Sequence, residues 1–109
     1  MELPEVFFQC LGQPHIRCKY ILASVIDDQG KETIVFRADV SKTMHYDIVK
    51  TLRNPQCFVE CLGGGYVEYD AVQKKIRLWG ASCQYGSEDR WVTVRILKKY
   101  YPDWEIDSI

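Results

Sequence analysis

The chain has 109 residues, the length of one domain, and its 47% hydrophobic and 27% charged residues are typical of a folded globular protein rather than a disordered one. The formal net charge of −1 at pH 7 gives no general basic field, which argues against nucleic-acid binding and against binding to an anionic membrane. The N-terminal sequence MELPE lacks the features of a secretory signal and no apolar run approaches ~20 residues, so we expect one cytoplasmic domain over residues 1–109.

The first half of the chain predicts a hairpin followed by a helix. Residues 18–26 and 31–36 are rich in β-branched and aromatic residues and are separated by the turn sequence DDQG, so we expect two antiparallel strands. A helix is then predicted from Ser41 as its N-cap, with one buried stripe formed by Met44, Ile48 and Leu52. Asn54-Pro55 should end this helix.

The second half predicts three more strands, a second helix and an edge strand. We expect strands at residues 57–62, 66–69 and 75–79, and an edge strand near 104–106. The second helix should start near Ser87 and stop at Pro102, with an inner face formed by Trp91, Val94, Leu97 and Tyr101. The pattern predicts an α/β (α+β) domain in which a mixed sheet of about six strands packs between two α-helices.

The cysteines and glycines give weak evidence for chemistry. Five cysteines at irregular spacing do not form a disulfide framework, and Cys57 and Cys61 lack the further ligands that zinc needs. No arginine follows Cys83 at the spacing of a phosphatase cysteine loop, so we expect free structural thiols and no metal. The three glycines at 63–65 do not form a Walker A loop; we expect a tight turn there, with backbone binding of an anion as the alternative.

Two further features are ambiguous on their own. The segment 79–86 leads into the second helix, where Ser82 and free amides suit a bound phosphate but also an ordinary strand-to-helix loop. The only histidines are His15, expected in an exposed loop, and His45, expected on the first helix in a structural role.

Several short motifs in order give a more specific signal. They are KYIL at 19–22, ECLGGG at 60–65, KKI at 74–76, GAS at 80–82, YG at 85–86 and KYYPDWE at 99–105. Together they resemble the Janus/phosphohistidine phosphatase family, whose corresponding motifs are KYVL, ECLGGGR, KKI, YGYS..YG and KYPDY. The resemblance spans most of the chain from Cys18 onward.

The resemblance implies a mixed sheet between two helices and removal of phosphate from phosphohistidine in proteins without a metal or cofactor. In that family a histidine at the start of the first helix is catalytic, and backbone amides, the serine of YGYS and basic residues hold the phosphate. Ser82, Gln84 and Lys19 match family positions, and the amide near Thr43 is a further candidate.

Other positions depart from the family. Counting back from the Tyr46-Asp47 pair puts Lys42 where the resemblance expects the catalytic histidine, and Tyr66 replaces the arginine after the glycines. Arg90 replaces a loop histidine, and Arg37 lies one residue from a family arginine on the second strand. A shift of one residue reverses the face of a strand.

His45 is the other candidate for the catalytic group. It lies three residues after Lys42, which is ~4.5 Å along a helix axis, whereas catalytic geometry is sensitive to ~1 Å.

Two functions remain open. One is a phosphohistidine phosphatase in which His45 or Lys42 replaces the family histidine, with the phosphoryl group bound by the remaining candidates (Lys19, Thr43, Ser82, Gln84, Arg37 and Arg90). The other is a catalytically inactive relative whose anion pocket binds a phosphorylated or acidic protein partner. In both cases we expect a monomer that binds neither nucleic acid nor membrane.

Overall fold

Six strands and two helices are described for residues 3–109 in a computed structural model of the protein. In chain order they are β1 (Val6–Gln9), β2 (His15–Ile26), β3 (Glu32–Asp39), α1 (His45–Lys50), β4 (Phe58–Asp70), β5 (Lys75–Trp79), α2 (Arg90–Tyr100) and β6 (Glu105–Ser108). All six strands form one sheet in the order β1-β3-β2-β4-β5-β6. The outer strands β1 and β6 run parallel to their neighbours and the inner pairs are antiparallel. The prediction of a mixed six-stranded sheet with two helices is confirmed.

Alternation along the strands sends apolar side chains to both faces of the sheet. One face packs under α2, where the core includes Tyr20, Phe36 and Leu97. The opposite face packs under α1, around Ile21 and Val35. The six residues of α1 pack on this face through Ile48 and Val49.

The three glycines do not form the predicted turn. They lie inside β4, a single strand of 13 residues, so the predicted strands at 57–62 and 66–69 are one element. A Cβ at Gly64 would lie 2.3 Å from the carbonyl oxygen of Tyr20, and one at Gly65 would lie 2.5 Å from that of Trp79. These glycines therefore allow neighbouring backbones to approach closely rather than letting the chain reverse.

The first helix begins three residues later than predicted, with Met44 rather than Ser41 as its N-cap. Ser41 is not its cap, because the Ser41 hydroxyl donates to Asp39, and α1 starts at His45. Met44 is 50% exposed, so the predicted stripe is wrong there. The buried residues of α1 are His45, Ile48 and Val49.

The second helix also begins later than expected. Asp89 is the N-cap of α2, and its side chain accepts from the amide of Trp91. Trp91 is 67% exposed, so it does not belong to the inner face, whereas Thr93, Ile96 and Leu97 are buried. No helix within residues 3–109 is long and apolar enough to cross a membrane.

The cysteines are all free thiols. In the part of the chain that the structure describes, no group of three or more His, Cys, Asp or Glu residues is placed to hold a metal ion.

Candidate functional site

A groove of about 270 Å³ lies on the face that carries α1, beyond the end of that helix. Its lining includes three basic residues and no carboxylate: Arg17, Cys18, Lys19, Val40, Lys42, Thr43, Tyr66 and Trp79. Pockets for small molecules usually measure about 300–1,000 Å³. The groove is slightly smaller than this range, and because its charged lining is entirely basic, it is suited to an anionic group.

The register between neighbouring strands determines which side chains form one wall of the groove. Lys19 on β2 pairs with Tyr66 on β4, and Tyr66 pairs with Trp79 on β5, so the three side chains form a row across one face. Arg17 lies two residues before Lys19 and therefore on the same face. The Tyr66 and Trp79 rings stack with centroids 6.1 Å apart and planes at 23°, and the Arg17 guanidinium carbon lies 5.9 Å from the Trp79 ring centre.

The opposite wall comes from the loop between β3 and α1. The Lys19 ammonium donates a hydrogen bond to the carbonyl oxygen of Thr43, which ties this loop to β2. Lys42 and Thr43 both line the groove. Arg17 also pairs with Glu68 at 3.4 Å, but the Arg17 side chain is 70% exposed and the pair is a weak surface interaction. Among the described residues, Arg17 is the groove cation with a carboxylate partner, whereas Lys19 and Lys42 form no salt bridge and carry the charge that faces an anion there.

His45 lies beneath the groove at the first position of α1 and is only 5% exposed. Its Nε2 atom is 2.9 Å from the carbonyl oxygen of Gly65. A carbonyl can only accept, so Nε2 carries the proton and Nδ1 carries a free lone pair in the neutral ring. The Tyr66 ring makes an edge contact with the imidazole at a centroid distance of 5.9 Å.

The surroundings of His45 also favour its neutral form. Burial lowers the pKa of the imidazole below its ordinary value of 6.5, and the positive charge of Lys19 lowers it further. The hydrogen bond to Gly65 opposes this change but does not outweigh it. At pH 7 the ring is therefore a neutral base with a defined tautomer.

Ser82 and Gln84 lie in the loop between β5 and α2, beside the three glycines. The amide of Gly64 donates to the carbonyl of Gly86 at 3.0 Å, which attaches this loop to the same segment that accepts from His45. Ser82 is 4% exposed, and its hydroxyl oxygen accepts from the amides of Gln84 and Tyr85, both at 3.2 Å. The predicted phosphate donors thus bond to one another in a closed turn.

The two predicted arginines do not line the groove. Arg37 is buried on the α1 face, where burial lowers its pKa and its guanidinium donates to the carbonyl of Phe36 at 2.8 Å. Arg90 lies on the opposite face, where it pairs with Glu88 at 3.3 Å and donates to the carbonyl of Gly80 at 2.6 Å. Of the predicted residues, the structure brings Lys19, Lys42 and Thr43 together above His45.

Arg17 and the ring of Trp79 were missed as groove residues. The alternation of Arg17 and Lys19 on a predicted strand is the signal that would have placed both cations on one face. For Trp79, the signal is the hairpin of β4 and β5, whose antiparallel register places it opposite Tyr66.

Comparison with known proteins agrees with these motifs. The sequence profile of the Janus/Ocnus family matches residues 9–105. The chain is 33% identical over 96 residues to the sex-regulated protein janus-A of Drosophila orena, covering 83% of this chain and 70% of that protein. It is 34% identical over 95 residues to janus-A of Drosophila simulans, covering 82% and 69% respectively. It is 31% identical over 78 residues to the human 14 kDa phosphohistidine phosphatase, covering 72% of this chain and 59% of that protein. The chain therefore belongs to the Janus/Ocnus family.

Proposed function

We propose that this protein hydrolyses phosphohistidine in proteins, with His45 as the base and the basic groove as the site for the phosphoryl group. The observation that carries the proposal is the state of His45, a neutral imidazole whose Nε2 is engaged by Gly65 and whose Nδ1 lone pair is free. The similarity to a phosphohistidine phosphatase supports the choice of substrate. By the same resemblance, the reaction needs no metal.

His45 suits the catalytic role better than Lys42. The family histidine is expected at the start of the first helix, and α1 begins at His45, with Lys42 in the preceding turn. A lysine ammonium has no lone pair and cannot accept a proton. We therefore assign Lys42, with Lys19, to binding the phosphoryl group as a cation.

The reaction follows from these assignments. Nδ1 of His45 takes a proton from water as the water oxygen forms a bond to phosphorus. The P–N bond of phosphohistidine breaks, and the proton passes to the nitrogen of the leaving imidazole. The products are histidine and inorganic phosphate, and His45 is left neutral. Lys19 and Lys42 stabilise the negative charge on the phosphoryl oxygens throughout.

The test is hydrolysis of a phosphohistidine peptide by the wild type and by His45→Gln. Glutamine can keep a donor near the Gly65 carbonyl but has no base, so we expect turnover to fall by about 10²–10⁴-fold. Lys42→Ala should weaken substrate binding and leave measurable turnover. His15→Gln is the matched control, because His15 lies at the exposed start of β2 and bonds to Glu68. Full turnover in a folded His45→Gln protein would refute the role of His45.

The second candidate is a relative that binds a phosphorylated or acidic protein without hydrolysing it. The burial of His45 favours it, since this residue is 5% exposed and is not among the groove-lining residues. Binding of a phosphopeptide in the groove, weakened by Lys42→Ala and accompanied by no phosphate release, would select this function.

A further inference from the structure

The groove has an aromatic wall beside its cations. Tyr66 and Trp79 are adjacent across β4 and β5, both are half-buried, and both line the groove. Their rings stack with centroids 6.1 Å apart. The part of the wall nearest α1 is Tyr66, the residue that stands where the family resemblance expects an arginine.

This wall is held in place by its neighbours. The Tyr66 ring is bounded by the edge of His45 at 5.9 Å and by Gly80, where a Cβ would lie only 2.7 Å from Tyr66 Cδ2. The Arg17 guanidinium is 5.9 Å from the Trp79 ring centre and adds a cation–π contact. A ligand ring would therefore meet a preformed surface, which lowers the entropy cost of binding.

The contents of the groove define a ligand with two parts. Lys19 and Lys42 suit a dianionic phosphoryl group, and the Tyr66–Trp79 surface suits a planar ring close to it.

We propose that Tyr66 and Trp79 are specificity-determining residues that select a phosphoryl group carried on a planar aromatic ring over one carried on an aliphatic chain. The inference rests on the proposed function, and for that reaction it means that phosphohistidine is favoured over phospholysine. Offset or edge stacking of a ligand ring on this wall should make the aromatic ligand bind about 2- to 10-fold more tightly than the aliphatic one.

Binding of two non-hydrolysable probes tests the inference without turnover. Phenylphosphonate and cyclohexylphosphonate have the same number of carbons and the same anionic group, but only the first is planar. We expect the wild type to bind phenylphosphonate about 2- to 10-fold more tightly by calorimetry. Trp79→Leu and Tyr66→Leu should each reduce this ratio towards one while cyclohexylphosphonate still binds. Trp91→Leu, which alters a tryptophan on α2 that is 67% exposed, should leave the ratio unchanged.

Turnover of phosphohistidine and phospholysine peptides separates the two proposals. Hydrolysis of phosphohistidine with equal binding of the two phosphonates would overturn ring selection and leave the proposed function intact. A preference for phenylphosphonate that is lost in Trp79→Leu, with no phosphate released from either peptide, would support ring selection and overturn hydrolysis. A preference that persists in both folded leucine variants would overturn the assignment to Tyr66 and Trp79.

Discussion

A buried carboxylate holds the start of α2 and gives a prediction with a defined magnitude. Glu88 has a side chain with no exposed surface, and its Oε2 accepts from Tyr20 at 2.7 Å and from Thr93 at 2.5 Å, with Arg90 at 3.3 Å. Tyr20→Phe removes one of these donors without changing the packing of the ring. A hydrogen bond to a charged group contributes about 1.5–3 kcal/mol, and we expect the free energy of unfolding to fall by that amount. For a domain of this length, the midpoint temperature should fall by roughly 6–20 °C.

Urea unfolding measures this change, and Tyr100→Phe is the matched control. The Tyr100 hydroxyl also donates to a carboxylate, that of Glu5 at 2.5 Å, but Tyr100 is 49% exposed and its loss should leave the unfolding midpoint unchanged. A double-mutant cycle of Tyr20→Phe with Thr93→Val should show coupling, because both hydroxyls bond to the same oxygen. A decrease in unfolding free energy below about 0.5 kcal/mol for Tyr20→Phe would refute the hydrogen bond between Tyr20 and Glu88.

Two further predictions concern the sheet centre and His45. Gly64→Ala should destabilise the protein by about 3 kcal/mol or more in urea unfolding, because its Cβ would lie 2.3 Å from the Tyr20 carbonyl oxygen, a backbone atom of the sheet that cannot move aside. Gly30→Ala is the control, because nothing lies within 4 Å of a Cβ there and only the positive φ of Gly30 costs about 1–2 kcal/mol. Equal losses of unfolding free energy in the two variants would contradict the close approach at Gly64. Because the pKa of His45 is lowered on folding, its neutral form stabilises the protein above pH 6.5, and this contribution is lost as the pH falls below 6.5. The melting temperature of His45→Gln should therefore change less between pH 7.5 and 5.5 than that of the wild type, and an equal change would show that His45 is not the group responsible.

The fold could be predicted where local sequence and tertiary structure favour the same element. Alternation and turn residues located β2 and β3, and the start and stop signals located α2 to within a few residues. The glycine triplet misled the prediction because a tight turn and a close backbone approach require the same residue. Only the pairing of β4 with β2 through the glycines distinguishes them, and that pairing joins residues distant in sequence. The short edge strand β1 was missed because it depends on parallel pairing with β3, distant in sequence.

One misread local signal concerns the loop that lines the candidate site. Ser41 has the residue type of a helix cap, but its hydroxyl bonds to Asp39, and α1 begins at His45. Counting back from the Tyr46-Asp47 pair selected Lys42, three residues before His45, and the burial of His45 against Gly65 was not foreseen. The groove required strand register, which brings Lys19 beside Tyr66 and places Arg90 on the other face.

The replacement of the family arginine by Tyr66 changes the electrostatics of His45. An arginine in the row beside Lys19 would place a second positive charge near the imidazole, whereas the tyrosine places an uncharged ring 5.9 Å from it. Arg17 restores a cation to the same face, but it is 70% exposed and shares its charge with Glu68, so its field at His45 is screened. The neutral state of His45 consequently depends on burial first and on Lys19 second. The lining of the groove thus keeps three basic residues, while an uncharged ring lies beside His45.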